Sequence, residues 1–403
     1  MTRHLSPVTR NLSSVTRHPS PVTCLWSSVT RHLSLVTIFF VLVLASCKPD
    51  PPVVEVPIGV AVSLTGGFSP YGIIQKNGIK MAIDEINLES YIVGFKIIPF
   101  ILDDQSSPET CRKIFSDLIS LNKVIAIIGP TSSNCAFPAD SLAQKSKVVV
   151  VGISNTVPGI TEIGDYIFRN SLPESAVIPN TVEVTHSKLG YSKVAIIYGN
   201  DDPYTIGAYN AFKKALDNTS GISIVATETI HKGDTDFGSQ MSRILVSSPD
   251  VIVIPALVNE ASAIMIKARQ MGIPARVKFI GGNSFNTSKL WQQAGEAAQG
   301  AICGSAWIYT EDTPGNADFV SKYTAIYGSK PDQFAAQAYA SVYIIADAIK
   351  RSETPTSETL RNNLANLSNL PTVLGTFSFD SNRDPVHPPV VQELVNGEFI
   401  LYH

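Results

Sequence analysis

The sequence is poor in charged residues. Only 16% of its 403 residues are Asp, Glu, Lys or Arg, whereas about a quarter are charged in a typical soluble domain. The 31 basic and 34 acidic residues almost balance, so the chain lacks the basic surface that a nucleic-acid partner requires. Long apolar runs are missing as well. The longest, residues 38–45, has eight residues, whereas a helix that crosses a bilayer needs about 20.

The motifs of common enzymes are also absent. The sequence contains no GxSxG elbow, P-loop, GxGxxG, HExxH or EF-hand spacing, and no histidine is paired with a serine or cysteine nucleophile in a recognisable arrangement. The five cysteines form no CxxC pair, so neither a metal site nor a thioredoxin-type site is predicted. We therefore expect a protein that is not an enzyme and that uses no cofactor or metal.

What is present begins with an unusual leader, residues 1–46. Residues 3–37 form five consecutive sevens: RHLSPVT, RNLSSVT, RHPSPVT, CLWSSVT and RHLSLVT. Apolar residues keep heptad spacing from Leu5 to Val15, which is typical of a coiled coil. Repeated prolines and the absence of acidic residues oppose that interpretation. The alternative is a tandem duplication read through an early start codon, with translation beginning near Leu35.

Residues 38–47 predict export and lipidation. The run IFFVLVLA has the length of a signal-peptide apolar region and leads into LASC, which resembles the bacterial lipobox. Cys47 is therefore the predicted lipidation site, and a plain secretory signal with a chance cysteine is the alternative. A proline-rich tether, residues 47–56, follows. We expect the domain beyond it in the periplasm or on the outer cell surface, anchored to a membrane by the lipid.

The remainder alternates apolar strands with helical segments. Eight strands are predicted in two series: 58–64, 95–104, 124–130 and 148–154, then 193–202, 222–230, 251–257 and 277–283. Uninterrupted apolar strands separated by helical patterns of about 10–15 residues indicate parallel sheets covered by helices on both faces. Two series predict two α/β lobes. Near the C-terminus, 332–352 is predicted to be helical, 376–381 a strand, and 390–402 a hairpin about Asn396 and Gly397.

Two loops at predicted strand ends are rich in polar residues. IGPTSSNC, after the third strand, contains Ser133, and GISNTVPG, after the fourth, contains Ser154, Asn155 and Thr156. Ligands of doubly wound sheets bind at the carboxyl ends of the strands, where helix N-termini favour an anion. These residues therefore either hold a ligand or simply cap the following helices.

Ten segments from residue 56 to the C-terminus occur in a characteristic order: SLTGGFSPYG, NGIKMAIDEIN, LDDQSSP, IGPTSS, YGNDDPY, TDFGSQMSRI, IGGNSFN, AGEAAQG, QAYASVYIIADAI and FSFDSNRDP. They resemble the type I periplasmic solute-binding proteins, specifically the leucine/isoleucine/valine-binding branch of ABC importers. The resemblance implies two Rossmann-like lobes with parallel sheets, joined by three crossovers. The N-terminal lobe would comprise 53–172 and 308–374, and the C-terminal lobe 173–307 and 375–403.

The resemblance also implies binding residues in the first lobe. Ser133 would hold the carboxylate of the ligand. Thr156, with backbone groups around Ser154 and Asn155, would hold its amino and carboxylate end. Tyr71 would line the wall of this lobe.

In the second lobe the sequence departs from the family. Tyr204 would close over the ligand, but the acid that pairs with the α-ammonium falls on Asn283. A neutral amide cannot supply a charge-assisted bond to a buried ammonium. Either another acid substitutes, with Asp201, Asp202 and Glu260 as candidates, or the ligand lacks an α-ammonium; each of these acids is alternatively a solvated loop carboxylate.

Apolar walls and cysteines complete the expectations. The family's large second-lobe aromatic is Leu257 here, and three aromatic residues are either substitute walls or core: Phe285, Trp307 and Tyr309. Cys111 and Cys135 begin helices that we expect to be neighbours, and because relatives carry a disulfide nearby, they are a candidate disulfide. Cys303 is expected to be a buried small apolar residue.

The implied function is capture of a small solute by closure of the two lobes. The protein would be a monomer that delivers an amino acid or related carboxylate or amide to an ABC permease. The alternative is an interaction or sensor lipoprotein of the same fold, such as an activator of penicillin-binding proteins, without a transport role.

Overall fold

The computed structural model describes residues 53–402. The predicted leader, the lipidation site Cys47 and residues 47–52 of the predicted tether lie outside the described residues. The last residues of the predicted tether, 54–56, belong to the first strand, which begins at Val54.

The first lobe is built on a parallel sheet of five strands in the order β2-β1-β3-β4-β5. The strands are β1 (Val54–Val62), β2 (Phe95–Asp103), β3 (Ala126–Ile128), β4 (Val149–Gly152) and β5 (Ile167–Arg169). They lack polar alternation because helices cover both faces of a parallel sheet. All four residues of β4, for example, are buried.

The second lobe is built on a seven-stranded sheet in the order β14-β13-β10-β9-β8-β6-β7. Its strands are β6 (Lys193–Gly199), β7 (Ser223–Ile230), β8 (Val251–Val253), β9 (Lys278–Gly281), β10 (Ile302–Ser305), β13 (Val390–Val395) and β14 (Glu398–Leu401). Strands β6 to β10 pair in parallel, and the β13–β14 hairpin adds two antiparallel strands. The predicted hairpin turn is confirmed, since Asn396 and Gly397 have φ of 51° and 86°, as a tight two-residue turn requires.

Eleven helices are present among the described residues: α1 (Ser69–Leu88), α2 (Pro108–Ser120), α3 (Ser133–Lys145), α4 (Glu174–Leu189), α5 (Pro203–Asp217), α6 (Gly238–Ser247), α7 (Val258–Gln270), α8 (Lys289–Ala294), α9 (Asn316–Tyr327), α10 (Gln333–Lys350) and α11 (Ser357–Ala365). Helices α10 and α11 return to the first lobe, where α10 packs on α1 and α11 on β4. The chain therefore crosses between lobes three times, after β5, after β10 and after β12, and each lobe has its own apolar core. Within residues 53–402, no helix is both long and apolar enough to pass through a membrane.

A small third sheet corrects one predicted lobe boundary. Strands β11 (Leu370–Thr372) and β12 (Gly375–Phe377) form an antiparallel hairpin, so a boundary between residues 374 and 375 would divide it. Phe377 is fully buried in the first-lobe core, and Asp384 forms an ion pair with Arg169 of β5. The chain therefore enters the second lobe only between Asp384 and β13.

Candidate functional site

The candidate site is a cavity between the two lobes. The space between its wall atoms measures about 270 Å³, and its lining residues are Phe68, Tyr71, Thr131, Ser154, Tyr204, Leu257, Asn283, Ser284 and Phe334. Most of its first-lobe residues come from loops and helices that follow the carboxyl ends of β1, β3 and β4, which is where doubly wound sheets bind ligands; Phe334 comes from the start of α10. Only about 20 Å³ of this space is open to water, which is room for about one water molecule, so a solute can enter only when the lobes separate.

A buried hydrogen-bond network fixes the first-lobe wall. Gln75 of α1 is fully buried; its amide donates to Ser154 Oγ over 2.7 Å, and its carbonyl accepts from Thr131 Oγ1 over 2.7 Å. Thr131 in turn accepts the Ser63 backbone N–H at 2.9 Å. The network joins α1 to the loops after β1, β3 and β4, so the wall is rigid. Gln75 and Thr131 were not predicted, because only the packed loops bring them together.

Three predicted first-lobe residues are buried and do not line the cavity. Ser133, Asn155 and Thr156 are at most 1% exposed and are not on the cavity lining. The side-chain oxygens of all three have no hydrogen-bond partner. Ser132, rather than Ser133, caps α3 by accepting the Cys135 N–H. Buried polar atoms normally find partners, so these atoms leave unused hydrogen-bonding capacity in the two loops that carry the lining residues Thr131 and Ser154.

Arg169 holds the loop that carries Asn155. Its guanidinium is buried and donates to the backbone carbonyls of Asn155 and Val157 at 3.0 and 2.8 Å. It also forms a two-point ion pair with Asp384, at 2.6 and 3.0 Å. The third crossover therefore fixes the loop after β4 through a planar, bidentate contact.

Tyr71 joins the two lobes across the cavity. Its hydroxyl accepts the backbone N–H of Val258, the first residue of α7, at 2.8 Å and donates to the Ser284 carbonyl at 3.3 Å. The ring lies against Phe334, with centroids 4.8 Å apart. Burial raises the pKa of Tyr71 above its ordinary value, so the hydroxyl stays protonated and keeps both roles.

Tyr204 approaches from the second lobe. Its hydroxyl accepts the Ser284 backbone N–H at 2.8 Å, and burial followed by the nearby Glu174 raises the pKa of Tyr204. Tyr71, Ser154, Tyr204 and Asn283 are thus the predicted residues that the structure brings together around one cavity.

Both the side chain and the backbone of Asn283 are hydrogen-bonded to neighbouring residues. Its side-chain oxygen accepts from the Gln333 amide, and its backbone N–H donates to Glu174 Oε1 at 3.0 Å. Glu174 is 3% exposed. Burial raises the pKa of Glu174 to about 7, against the lowering effects of the Asn283 N–H and the Tyr204 hydroxyl. Sequence reasoning missed this acid, because Asn283 lies far along the chain and nothing local marks Glu174 as buried.

The three acids proposed as substitutes have structural roles instead. Asp201 accepts the Lys232 N–H at 3.0 Å and Glu260 the Gly233 N–H at 2.8 Å, so both hold the turn after β7. Asp202 caps α5 by accepting the Tyr204 N–H at 2.9 Å. None of the three lines the cavity.

Of the residues predicted as apolar walls, Leu257 lines the cavity. The three predicted aromatic walls, Phe285, Trp307 and Tyr309, do not. Phe285 is buried in the second-lobe core and Trp307 in the first-lobe core. Tyr309 lines a separate groove of about 680 Å³ near the crossovers. There Lys330 pairs with Glu398 at 2.8 Å, which leaves this pair no unsatisfied charge for a solute.

The three cysteines among residues 53–402 are buried free thiols. Cys111 and Cys135 are neighbours, as expected, and their sulfur atoms lie with a carboxylate oxygen of Asp104 within 4.8 Å of one another. The expected disulfide is not formed in the structure. Burial and the adjacent Cys135 raise the pKa of Cys111, so its thiol is held protonated. Cys303 is buried in the second-lobe core and donates to Asn286 Oδ1 at 3.1 Å.

Two lobes with mainly parallel sheets and a cavity between them at their strand ends define a solute-binding architecture. The periplasmic binding protein family model matches residues 55–398, and the chain belongs to that family. It is a family of solute-binding proteins rather than of enzymes.

Individual relatives agree with this assignment. The Leu/Ile/Val-binding protein BraC3 of Rhizobium johnstonii is 26% identical over 338 residues, which cover 82% of this chain and 89% of that protein. The branched-chain amino acid transporter substrate binding protein LivJ from Streptococcus pneumoniae, solved in complex with isoleucine, has a TM-score of 0.81 and 30% identity over 86% of this chain and 97% of that one. The leucine binding protein LivK from Thermotoga maritima has a TM-score of 0.80 and 24% identity, over 86% and 98%. The predicted type I periplasmic-binding-protein fold is confirmed.

Proposed function

We propose that the protein is the substrate-binding component of an ABC importer, which captures a branched-chain amino acid or a related small carboxylate or amide by closure of its lobes. The observation that carries the proposal is the cavity at the strand ends, with Tyr71 hydrogen-bonded to the opposite lobe. A residue that contacts both lobes couples occupancy of the cavity to closure.

The chemistry of the walls supports an apolar side chain on the solute. Phe68, Tyr71, Leu257 and Phe334 line the cavity, and such surfaces gain free energy when apolar groups cover them. Ser133 and Thr156 supply unpaired hydroxyls, and Ser133 is the first residue of α3, where the helix N-terminus favours a carboxylate. The relatives named for leucine, isoleucine and valine agree with this ligand class.

The remaining elements of the proposal concern location and partners. Lipidation at Cys47 would anchor the domain to a membrane after export. The monomer with its lobes closed would be the form that an ABC permease recognises.

A thermal-shift screen tests the proposal. Its panel contains leucine, isoleucine, valine, short-chain acids and their amides. A ligand that binds only the folded protein, at about 100 times its Kd, stabilises it by about 2.7 kcal/mol. At least one member of the panel is expected to raise the melting temperature.

Matched variants locate the binding site. Ser133→Ala with Thr156→Ala should abolish the shift. Ser141→Ala with Thr324→Ala should preserve it, because those hydroxyls only bond carbonyls of their own helices. A shift that survives the first pair would place the site elsewhere. No shift with any solute, together with specific binding of a purified penicillin-binding protein, would favour the interaction-protein alternative.

A further inference from the structure

Glu174 is a buried carboxylate at the edge of the cavity that has no cationic partner. It is the first residue of α4 and is 3% exposed. Oε1 accepts the Asn283 N–H at 3.0 Å, whereas Oε2 has no hydrogen-bond partner. Among the described residues, the nearest hydrogen-bonding neighbours of Glu174 are neutral, and Glu174 takes part in no ion pair.

The groups around Glu174 cannot neutralise a negative charge. The side-chain oxygen of Asn283 faces the Gln333 amide. The Tyr204 hydroxyl accepts the Ser284 N–H and lowers the pKa of Glu174 by hydrogen bonding, but it carries no positive charge. Burial, and then the nearby Glu174, raise the pKa of the Cys303 thiol, which is therefore neutral. An ionised carboxylate buried among neutral groups is unfavourable unless a cation joins it, and the pKa of Glu174 is accordingly raised to about 7 by burial.

Two other buried acids, Asp332 and Glu260, also keep one unpaired oxygen, but each has a structural role. Asp332 accepts the N–H groups of Phe334 and Ala335 at 3.0 and 3.1 Å as the cap of α10, and Glu260 holds the turn after β7. Glu174 caps no helix, and it contacts Asn283 and Tyr204, which both line the cavity. A cationic group on the solute is therefore the partner that this corner of the site lacks.

We propose that Glu174 is the negative counter-charge for an ammonium group of the bound solute, so that the solute is a zwitterionic amino acid rather than a simple carboxylate or amide. This inference rests on the proposed function and narrows it. Asn283 then acts as a neutral spacer that positions Glu174 through its backbone N–H.

Paired probes test the charge requirement. L-Leucine and 4-methylpentanoate share a carboxylate and a branched side chain and differ only in the ammonium group. Calorimetric titration of the mature protein should show tighter binding of leucine. Glu174→Gln keeps the shape of the side chain and should weaken leucine binding by about 30-fold or more, as removal of one partner of a buried charged pair does, while 4-methylpentanoate is bound no more weakly than by wild type.

Glu260→Gln is the matched control, because it also neutralises a buried second-lobe acid that has one unpaired oxygen. It should leave the affinity for leucine unchanged. Equal leucine affinity in Glu174→Gln and wild type would overturn the inference and leave the proposed function standing. Binding of carboxylates with no binding of any amino acid would do the same. Absence of binding by every member of the panel would overturn the proposed function, and the inference with it.

A pH series on the wild-type protein tests the inference even if Glu174→Gln does not fold. Tyr204 and Cys303 face Glu174, and burial raises the pKa of both, so they stay neutral near pH 7. Both probes keep one charge state between about pH 6 and 8. The ratio of leucine affinity to 4-methylpentanoate affinity should therefore fall about tenfold from pH 8 to pH 6 as Glu174 takes up a proton. A constant ratio would contradict the inference.

Discussion

Tyr71→Phe isolates the hydrogen bonds that join the two lobes. The substitution keeps the ring against Phe334 and removes only the hydroxyl, which accepts from Val258 N–H at 2.8 Å and donates to the Ser284 carbonyl at 3.3 Å. Val258 is fully buried, so its N–H would be left unpaired in the closed protein, at a cost of about 1–3 kcal/mol. When the lobes separate, water satisfies both groups. The lost hydrogen bonds therefore destabilise only the closed form of the protein, and the Kd for the solute should rise by about 5- to 150-fold.

Calorimetric titration with L-isoleucine measures this effect. Tyr327→Phe is the matched control, since it removes a hydroxyl that donates at 3.0 Å to the Asn77 carbonyl within the first lobe. It should lower the melting temperature slightly and leave Kd unchanged. If Tyr71→Phe and Tyr327→Phe bind isoleucine equally well, the bond between the lobes does not contribute to capture and the reasoning is wrong.

Three further predictions concern stability. Arg169→Met breaks the buried pair with Asp384 and should lower the free energy of unfolding in urea by about 3 kcal/mol or more; a loss below about 0.5 kcal/mol would refute the role given to this pair. Oxidative folding should join Cys111 to Cys135, and closing a loop of about 25 residues should add about 3.5 kcal/mol; recovery of both cysteines as free thiols in a non-reducing peptide map would exclude the bond. Because burial raises the pKa of Glu174 from 4.5 to about 7, its contribution to stability is complete below about pH 4.5 and is lost as the pH rises through 7. The melting temperature should therefore fall between about pH 5 and 8 and Glu174→Gln should flatten the slope, whereas identical slopes would show that Glu174 does not titrate there.

The regular part of the fold was predictable because its signal is local. All eight predicted strands are present, since fully buried strands read as apolar runs such as VVVVG. Three strands were missed. β5 (Ile167–Arg169) and β11 (Leu370–Thr372) have three residues each, and β10 (Ile302–Ser305) contains a glycine, so none shows an apolar run of recognisable length. The predicted lobe boundary at residue 374 was wrong because it divides the β11–β12 hairpin. That hairpin is recognised only from the pairing of its two strands in the structure.

The candidate site was predictable only in part, because its geometry depends on distant contacts. Residues on named family motifs, such as Tyr71 and Tyr204, reach the cavity. Ser133 does not line the cavity, and the loop residues that do, Thr131 and Ser154, are held by Gln75 of another helix. Glu174 acquires its environment from Asn283, 109 residues further on, and no local pattern reports such a contact.

The central claim is that a small solute binds between the lobes. Titration calorimetry of wild type, Leu257→Trp and Ile73→Trp with leucine, isoleucine and valine tests it most directly. Leu257 lines the small cavity, and a tryptophan there would fill it, whereas Ile73 is 45% exposed on α1. We expect one bound amino acid per chain for wild type and Ile73→Trp and none for Leu257→Trp. Undiminished binding by a folded Leu257→Trp protein would contradict it.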